Sequence, residues 1–207
     1  MSIQNGEIPS YKVRRGRTGP TSQHALEHLL PLYLYDGNPA FRPTVLEIGF
    51  GMGEATAVMA AAAPDVDLLA VDVHPAGLAS LVRRLEEGAL TNVRIVDGDA
   101  VDVLTALPPG SLDEVRLFFP DPWPKKRHVK RRFLRPSIAA LLADRLAPHG
   151  FLHVATDWPA YEEHAREVLA DWQLEVLEQP ARPVTGYERR AHQGGRTAVD
   201  LVCRPPR

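Results

Sequence analysis

The chain of 207 residues has a single cysteine, Cys203, so no internal disulfide can form and burial alone must hold the fold together. One unpaired thiol matches a reducing compartment, and a cytoplasmic location is expected. No apolar run approaches the roughly 20 residues needed to cross a bilayer. The N-terminal segment MSIQNGEIPSYKVRRGRTGP has no apolar stretch of the kind a secretory signal requires. A surplus of positive charge is also missing. With 24 Lys and Arg against 26 Asp and Glu the net charge is −2, so any affinity for nucleic acid must come from a local patch. Internal repeats and low-complexity tracts are absent. Metal-ligand spacing is absent as well: His24 and His28 lie one helical turn apart with no third ligand nearby and read as surface residues. No Ser-His-Asp signature stands out. Cys203 lies in an apolar strand without a His partner and reads as core.

What is present is an ordinary globular composition, 44% apolar and 24% charged, at a length that suits one domain. Residues 1–20 are polar and carry Lys12, Arg14, Arg15 and Arg17, which predicts a flexible basic arm preceding a single domain over 21–207. From Thr21 to Tyr35 the spacing of Leu26, Leu29, Leu30 and Leu34 predicts a helix that Pro31 should bend or break. Beyond Thr44, strands and helices alternate. TVLEIGF, DLLAVDV, NVRIVDGDA, SLDEVRLFF and FLHVATD read as strands, with helices over GMGEATAVMAAAAP, PAGLASLVRRLEEG, AVDVLTALPPG, Pro136 to about Leu146, and PAYEEHAREVLAD. QLEVLEQ and TAVDLVC add two more strands joined by a long polar loop. This order predicts an α/β fold: a doubly wound, mostly parallel seven-stranded sheet with helices on both faces, Rossmann-like in plan.

In such sheets ligands bind outside the carboxyl ends of the strands. Four acids occupy such ends: Glu47, Asp72, Asp99 and Asp121. The first strand runs into Gly49, Gly51 and Gly53. A dinucleotide fingerprint would need its third glycine where Glu54 stands. Glu47 and Glu54 would also repel a diphosphate, but not an uncharged adenosine joined to an amino-acid sulfonium. Asp72, nineteen residues after Gly53, suits the ribose hydroxyls, and Asp99 with Ala100 suits the adenine edge. S-adenosylmethionine therefore fits better than NAD.

The stretch Leu117 to Arg135, LFFPDPWPKKRHVKRRFLR, ends a buried strand in a proline-stiffened loop bearing Asp121 and Trp123. Lys125, Lys126, Arg127, His128, Lys130, Arg131, Arg132 and Arg135 follow, with no acid from Pro122 to Ala143. A one-signed run beside a rigid carboxylate points to a polyanionic substrate held by its phosphates. Trp123 suits either stacking on a base or packing on the sheet. Asp157 in ATDW mirrors Asp121 and also suits the N-cap of the next helix.

VLEIGFGMGEAT, PDPWPKKRHVKRR, HVATDW and RPVTGYERR occur in the order seen in bacterial tRNA (guanine-N7)-methyltransferases, and the chain resembles that family over roughly residues 40–203. The resemblance implies a class I methyltransferase fold, S-adenosylmethionine as donor, and a guanine in the tRNA variable loop as acceptor. It implies that Glu47, Asp72, Asp99 and Asp121 contact the donor, with Asp121 also catalytic. By the same resemblance Lys125, Asp157, Thr185, Tyr187 and Glu188 hold the substrate, while Arg127, His128, Lys130, Arg131 and Arg132 bind the RNA backbone. The chain departs from the family pattern in having Asp72 for Glu, Val129 for His, and Gly186-Tyr187 for Lys-Phe. Only the resemblance marks Thr185 to Glu188, which otherwise reads as a turn.

Guanine N7 carries a lone pair and no proton, so methyl transfer to it needs no general base. Asp121 is expected to orient the reactants and offset the charge developing on the purine. Two other readings stay open on sequence alone. One is a methyltransferase acting on another nucleobase or a small molecule; the other is a non-catalytic RNA-binding module with the same fold. The partner is expected to be tRNA, and the assembly a monomer or homodimer.

Overall fold

The computed structural model describes residues 19–180 and 182–206. The expected basic arm therefore lies outside the described residues, apart from its last two positions. The helical entry is α1 (Pro20–His24), a widened π-type turn at Ala25–Leu29, and α2 (Leu30–Tyr33). Pro31 has no N–H to give and its ring crowds the carbonyl four residues back. The helix does not break there. It widens by one residue, so that the Leu30 N–H reaches Ala25 O.

The remaining elements are β1 (Val45–Ile48), α3 (Glu54–Ala62), β2 (Leu68–Asp72), α4 (Pro75–Glu87), β3 (Val93–Asp97), α5 (Ala100–Ala106) and β4 (Leu112–Phe118). Then come a 3-10 helix at Lys126–Arg131, α6 (Pro136–Arg145), β5 (Leu146–Thr156), α7 (Pro159–Val168), β6 (Gln173–Leu177), α8 (Gly186–Gln193) and β7 (Val199–Arg204). The seven strands form one sheet in the order β3-β2-β1-β4-β5-β7-β6. β7 runs antiparallel to both its neighbours, and the other pairings are parallel.

Period-two alternation assigns the two faces. Leu46, Ile48, Val115, Leu117, Leu152 and Val154 face α5, α6 and α7 in the larger apolar core. On the opposite face Val45, Leu68, Ala70 and Ile95 meet Leu78, Leu81, Val82 and Leu85, which recur along α4 at helical spacing. Each such leucine, fully buried, contributes about 1.5–3 kcal/mol.

Two elements differ from the sequence expectation. β5 begins at Leu146 rather than after Gly150, because the strand absorbs the Pro148–Gly150 region as a bulge. Leu112 pairs with Leu146, and the register then shifts so that Glu114 pairs with Phe151. The late polar loop contains α8, whose face is too polar to announce burial.

Candidate functional site: two clefts at the carboxyl end of the sheet

β1 and β4 lie side by side, with the chain leaving toward opposite edges, so their carboxyl ends frame the switch point of the sheet. After Ile48 the backbone turns through Gly49, Gly51 and Gly53, all at positive φ (73°, 57° and 69°). Gly53 has a second constraint, since a Cβ there would lie 2.8 Å from the Leu81 side chain. On the facing helix, a Cβ at Gly77 would fall 2.2 Å from Gly51 O. Gly77, marked by no motif in the sequence, is what lets α4 close against the turn.

Asp72 at the end of β2 braces this turn. Its Oδ2 accepts the Gly51 N–H at 3.1 Å, and its Oδ1 accepts those of Val73 at 2.7 Å and His74 at 2.9 Å. Burial pushes its carboxyl above the ordinary range despite those bonds. Asp99 caps α5 by accepting the Val101 N–H at 2.9 Å, which sets Ala100 at the first helical position. Gly49, Asp72, Asp99, Ala100, Phe119 and Asp121 line one cleft of about 220 Å³.

A second cleft, about 410 Å³, lies on the far side of Phe118 and Phe119, and the two share Gly49. Glu47, Gly51, Glu54, Arg84, Arg182, Thr185 and Arg190 border it. Glu47 is 2% exposed; its Oε1 accepts the Thr56 hydroxyl at 3.1 Å, while its buried Oε2 has no partner. Desolvation, opposed by the Arg116 charge, raises its carboxyl to about 7. Glu54 ties the glycine turn to α8: its Oε2 accepts the Gly186 N–H at 2.8 Å and its Oε1 pairs with Arg189 at 3.0 Å. In the sequence Glu54 stands out only as a break in a fingerprint, and this tie is invisible.

The loop carrying Asp121 is strained at both ends, with Phe119 at φ 50° and Trp123 at φ 43°. Arg132 holds it there. This residue was expected to bind RNA phosphates, but it is 6% exposed and engaged inside the protein. Its Nε donates to Pro122 O and its Nη1 to Ala160 O, both at 3.0 Å, and its guanidinium lies over the Tyr161 ring. The burial of Arg132 removes it from the basic face. Asp121 itself is exposed at the mouth of the first cleft.

Lys125, Lys126, Arg127 and Lys130 are exposed, and Arg131 is half-buried with its guanidinium 5.1 Å from the Trp123 ring centroid. His128 meets the same ring edge-on. Trp123 thus supports the basic turn. Desolvation, then the charges of Arg127, Arg131 and Lys125, lower His128 below its ordinary value, leaving it an uncharged ring at neutral pH.

The remaining expected site residues bring their own partners. Asp157 is 7% exposed, and its Oδ2 accepts from Arg196 at 2.7 Å. Thr185 caps α8 by accepting the Glu188 N–H at 3.3 Å. The spacing T-x-x-E is a capping-box signature, the local signal by which this helix could have been found. The Glu188 carboxylate is buried and bonded through both oxygens to Arg182, at 2.6 and 3.1 Å. It therefore acts through that arginine. The Tyr187 side chain lies outside the described residues.

Arg182 also bonds both oxygens of Asp200 (2.6 and 2.7 Å) and lies over the rings of Phe118 and Phe119. Asp200 bonds His153 at 2.8 Å, and Glu114 holds Arg116 through two bonds. The cross-strand register sets Glu47 beside Arg116 and Arg116 beside His153. A buried row of charges thus runs from β7 to the floor of the second cleft. Among the described residues no cluster of three or more His, Cys, Asp or Glu is arranged to hold a metal. No helix there is long and apolar enough to cross a membrane.

This architecture can be set beside known proteins. A family model described as "Putative methyltransferase" matches residues 41–201. The tRNA (guanine-N(7)-)-methyltransferase of Thiobacillus denitrificans is 44% identical over 99% of this chain and 99% of its own length. The one from Nitrosospira multiformis is 43% identical, covering 95% of this chain and 94% of its own. Among solved structures, the precorrin-6y C5,15-methyltransferase of Geobacter metallireducens superposes with a TM-score of 0.55 at 16% identity, covering 80% of each chain, a likeness of fold alone. On the strength of the family model and these near full-length relatives, the chain belongs to the tRNA (guanine-N(7)-)-methyltransferase family.

Proposed function

We propose that this protein transfers a methyl group from S-adenosylmethionine to N7 of a guanine in tRNA. The observation that carries this reading is that Asp121 and Gly49 border one cleft while the exposed cations begin four residues beyond Asp121. The residues present suit the donor. A Cβ at Gly49 or Gly51 would meet open space, so a ligand can lie against bare backbone at both positions. The buried, unpartnered Glu47 Oε2 is an acceptor awaiting a donor group.

Asp99 and Ala100 would hold the adenine edge and Asp72 the ribose, whose hydroxyls meet an acid already fixed by three backbone N–H groups. Glu47 would hold the ammonium of the amino-acid tail. When bound, the donor supplies a methyl group activated on a sulfonium. Everything else falls to the chain's own residues. Lys125, Lys126, Arg127, Lys130 and Arg131 take the RNA phosphates, with His128 as a neutral partner among them. Asp121 lies beside the acceptor purine and offsets the positive charge it gains, an interaction absent before transfer. Arg132 keeps that carboxylate in place through Pro122. Thr185 keeps its hydroxyl proton to donate to the base, and Asp157 and Glu188 serve the pocket while held by Arg196 and Arg182.

Incubation with methyl-labelled donor and unmodified tRNA, followed by nucleoside analysis, is expected to yield 7-methylguanosine. Label on an exocyclic amine, or none despite donor binding, would overturn the assignment.

A further inference from the structure

Arg84, Arg182 and Arg190 line the second cleft, Arg189 precedes Arg190 on α8, and three of these four are already engaged. Arg182 is saturated by Glu188 and Asp200. Arg189 holds Glu54 and donates to Val184 O. Arg84 donates to Met52 O, and its charge also acts on Glu54. Arg190 lines the cleft from α8, and its guanidinium has no carboxylate or carbonyl partner among the described residues. The missing side chain of Gly186 leaves it room, with Arg190 Nη1 3.9 Å from where a Cβ would stand. Glu47, whose buried Oε2 has no partner, borders the same cleft. One orphan acid and one uncommitted cation in a single cleft match the two charges of an α-amino acid.

We propose that Arg190 holds the carboxylate of the donor's amino-acid tail in the cleft that Glu47 also borders, so that α8 serves the donor site as well as the RNA. The assignment rests on S-adenosylmethionine being the donor. It also explains why Glu54 clamps the start of α8 to the glycine turn: the clamp keeps the Arg190 helix over the cleft.

The test compares binding of S-adenosylhomocysteine with that of 5′-methylthioadenosine, which keeps the nucleoside but lacks the amino-acid tail, by titration calorimetry. Arg190→Gln is expected to weaken S-adenosylhomocysteine about tenfold, the size of one charge-assisted bond, and to leave 5′-methylthioadenosine unchanged. Arg190→Lys should recover part of the loss, and Arg84→Gln should show a smaller one. Equal loss of both ligands, unchanged S-adenosylhomocysteine affinity, or a loss confined to tRNA binding would each overturn the Arg190 assignment while sparing the donor reading. A wild-type protein that bound neither ligand would remove both.

Discussion

Arg132 donates to the carbonyl of Pro122, ten residues before it, and so an arginine of the basic run props up the loop that carries Asp121. A residue expected on the RNA-binding face instead holds the loop that bears Asp121. The neighbouring cations are separated from it by burial alone. Arg131 lies over Trp123 on the outside of the loop, and Arg132 lies over Tyr161 on the inside.

Arg132→Ala is accordingly expected to lower turnover at saturating substrates and to cost about 1–3 kcal/mol of stability, because two part-buried carbonyls lose their donor and a buried side chain is removed. The salt dependence of tRNA binding should stay as in the wild type. Urea unfolding and binding titrations at several salt concentrations read the two effects separately.

The exposed cations should behave in the opposite way. Lys126→Ala or Lys130→Ala is expected to weaken tRNA binding at low salt and to flatten the logarithmic salt slope by about one for each phosphate left without its cation. Unfolding stability should change by less than about 0.5 kcal/mol, as for surface substitutions generally. A variant of weaker affinity but unchanged slope would place that lysine away from phosphate.

With Glu47 in its proposed place at the donor's ammonium, donor binding is expected to depend on pH. Its carboxyl sits at about 7 in the free protein, so at pH 6 most molecules carry the proton. Holding an ammonium requires the ionised form, and binding then expels that proton. Affinity for S-adenosylhomocysteine should therefore rise about tenfold from pH 6 to pH 8 and level off above the midpoint. Calorimetry in buffers of different ionisation heat would detect the released proton. Glu47→Gln should abolish both the release and the slope.

The buried charge row sets limits on stability at both ends of the pH scale. Burial alone would raise Glu114, but the nearby His153 ring and the two bonds from Arg116 overcome this and hold it at about 2. A depressed carboxyl contributes stability above its unfolded value that is lost as pH falls toward the folded one. For His153, burial alone would depress the ring, yet Asp200 and Glu114 raise it above its ordinary value. That contribution is complete below the unfolded value and is lost as pH rises through the folded one. The melting temperature should consequently fall on both sides of a plateau, and His153→Gln should remove the decline on the alkaline side.

Arg182→Met tests the same row from its other end. It leaves Glu188 and Asp200 buried without their cation, and a loss of about 3–5 kcal/mol is expected. Pairing it with Glu188→Gln and Asp200→Asn should restore part of that loss, measured by urea unfolding, because the stranded charges are then gone.

The order of the strands, the glycine turn and the acids at the strand ends are legible in the sequence because each is a local signal. Period-two runs, turn residues and strand termini depend on neighbours in the chain. α8 is not legible, for a physical reason: of Gly186 to Gln193 only Tyr187 and Ala191 are apolar, so no hydrophobic stripe marks the helix, and the T-x-x-E cap is its one local sign. β5 starts earlier than the sequence suggests because Pro148 and Gly150 look like an end, and only pairing with Leu112 draws Leu146 into the sheet.

By itself the sequence determined that an α/β sheet carries an acid and a block of positive charge on one loop, since residue type and spacing suffice for that. Only the tertiary structure decided which charges are free to act. Whether an arginine meets a phosphate, a carbonyl or a carboxylate depends on what distant segments bring within about 3 Å of it, and no spacing along the chain encodes that distance. Arg132, Glu188 and Asp157 are engaged within the fold for this reason, and Arg190 is left facing the cleft.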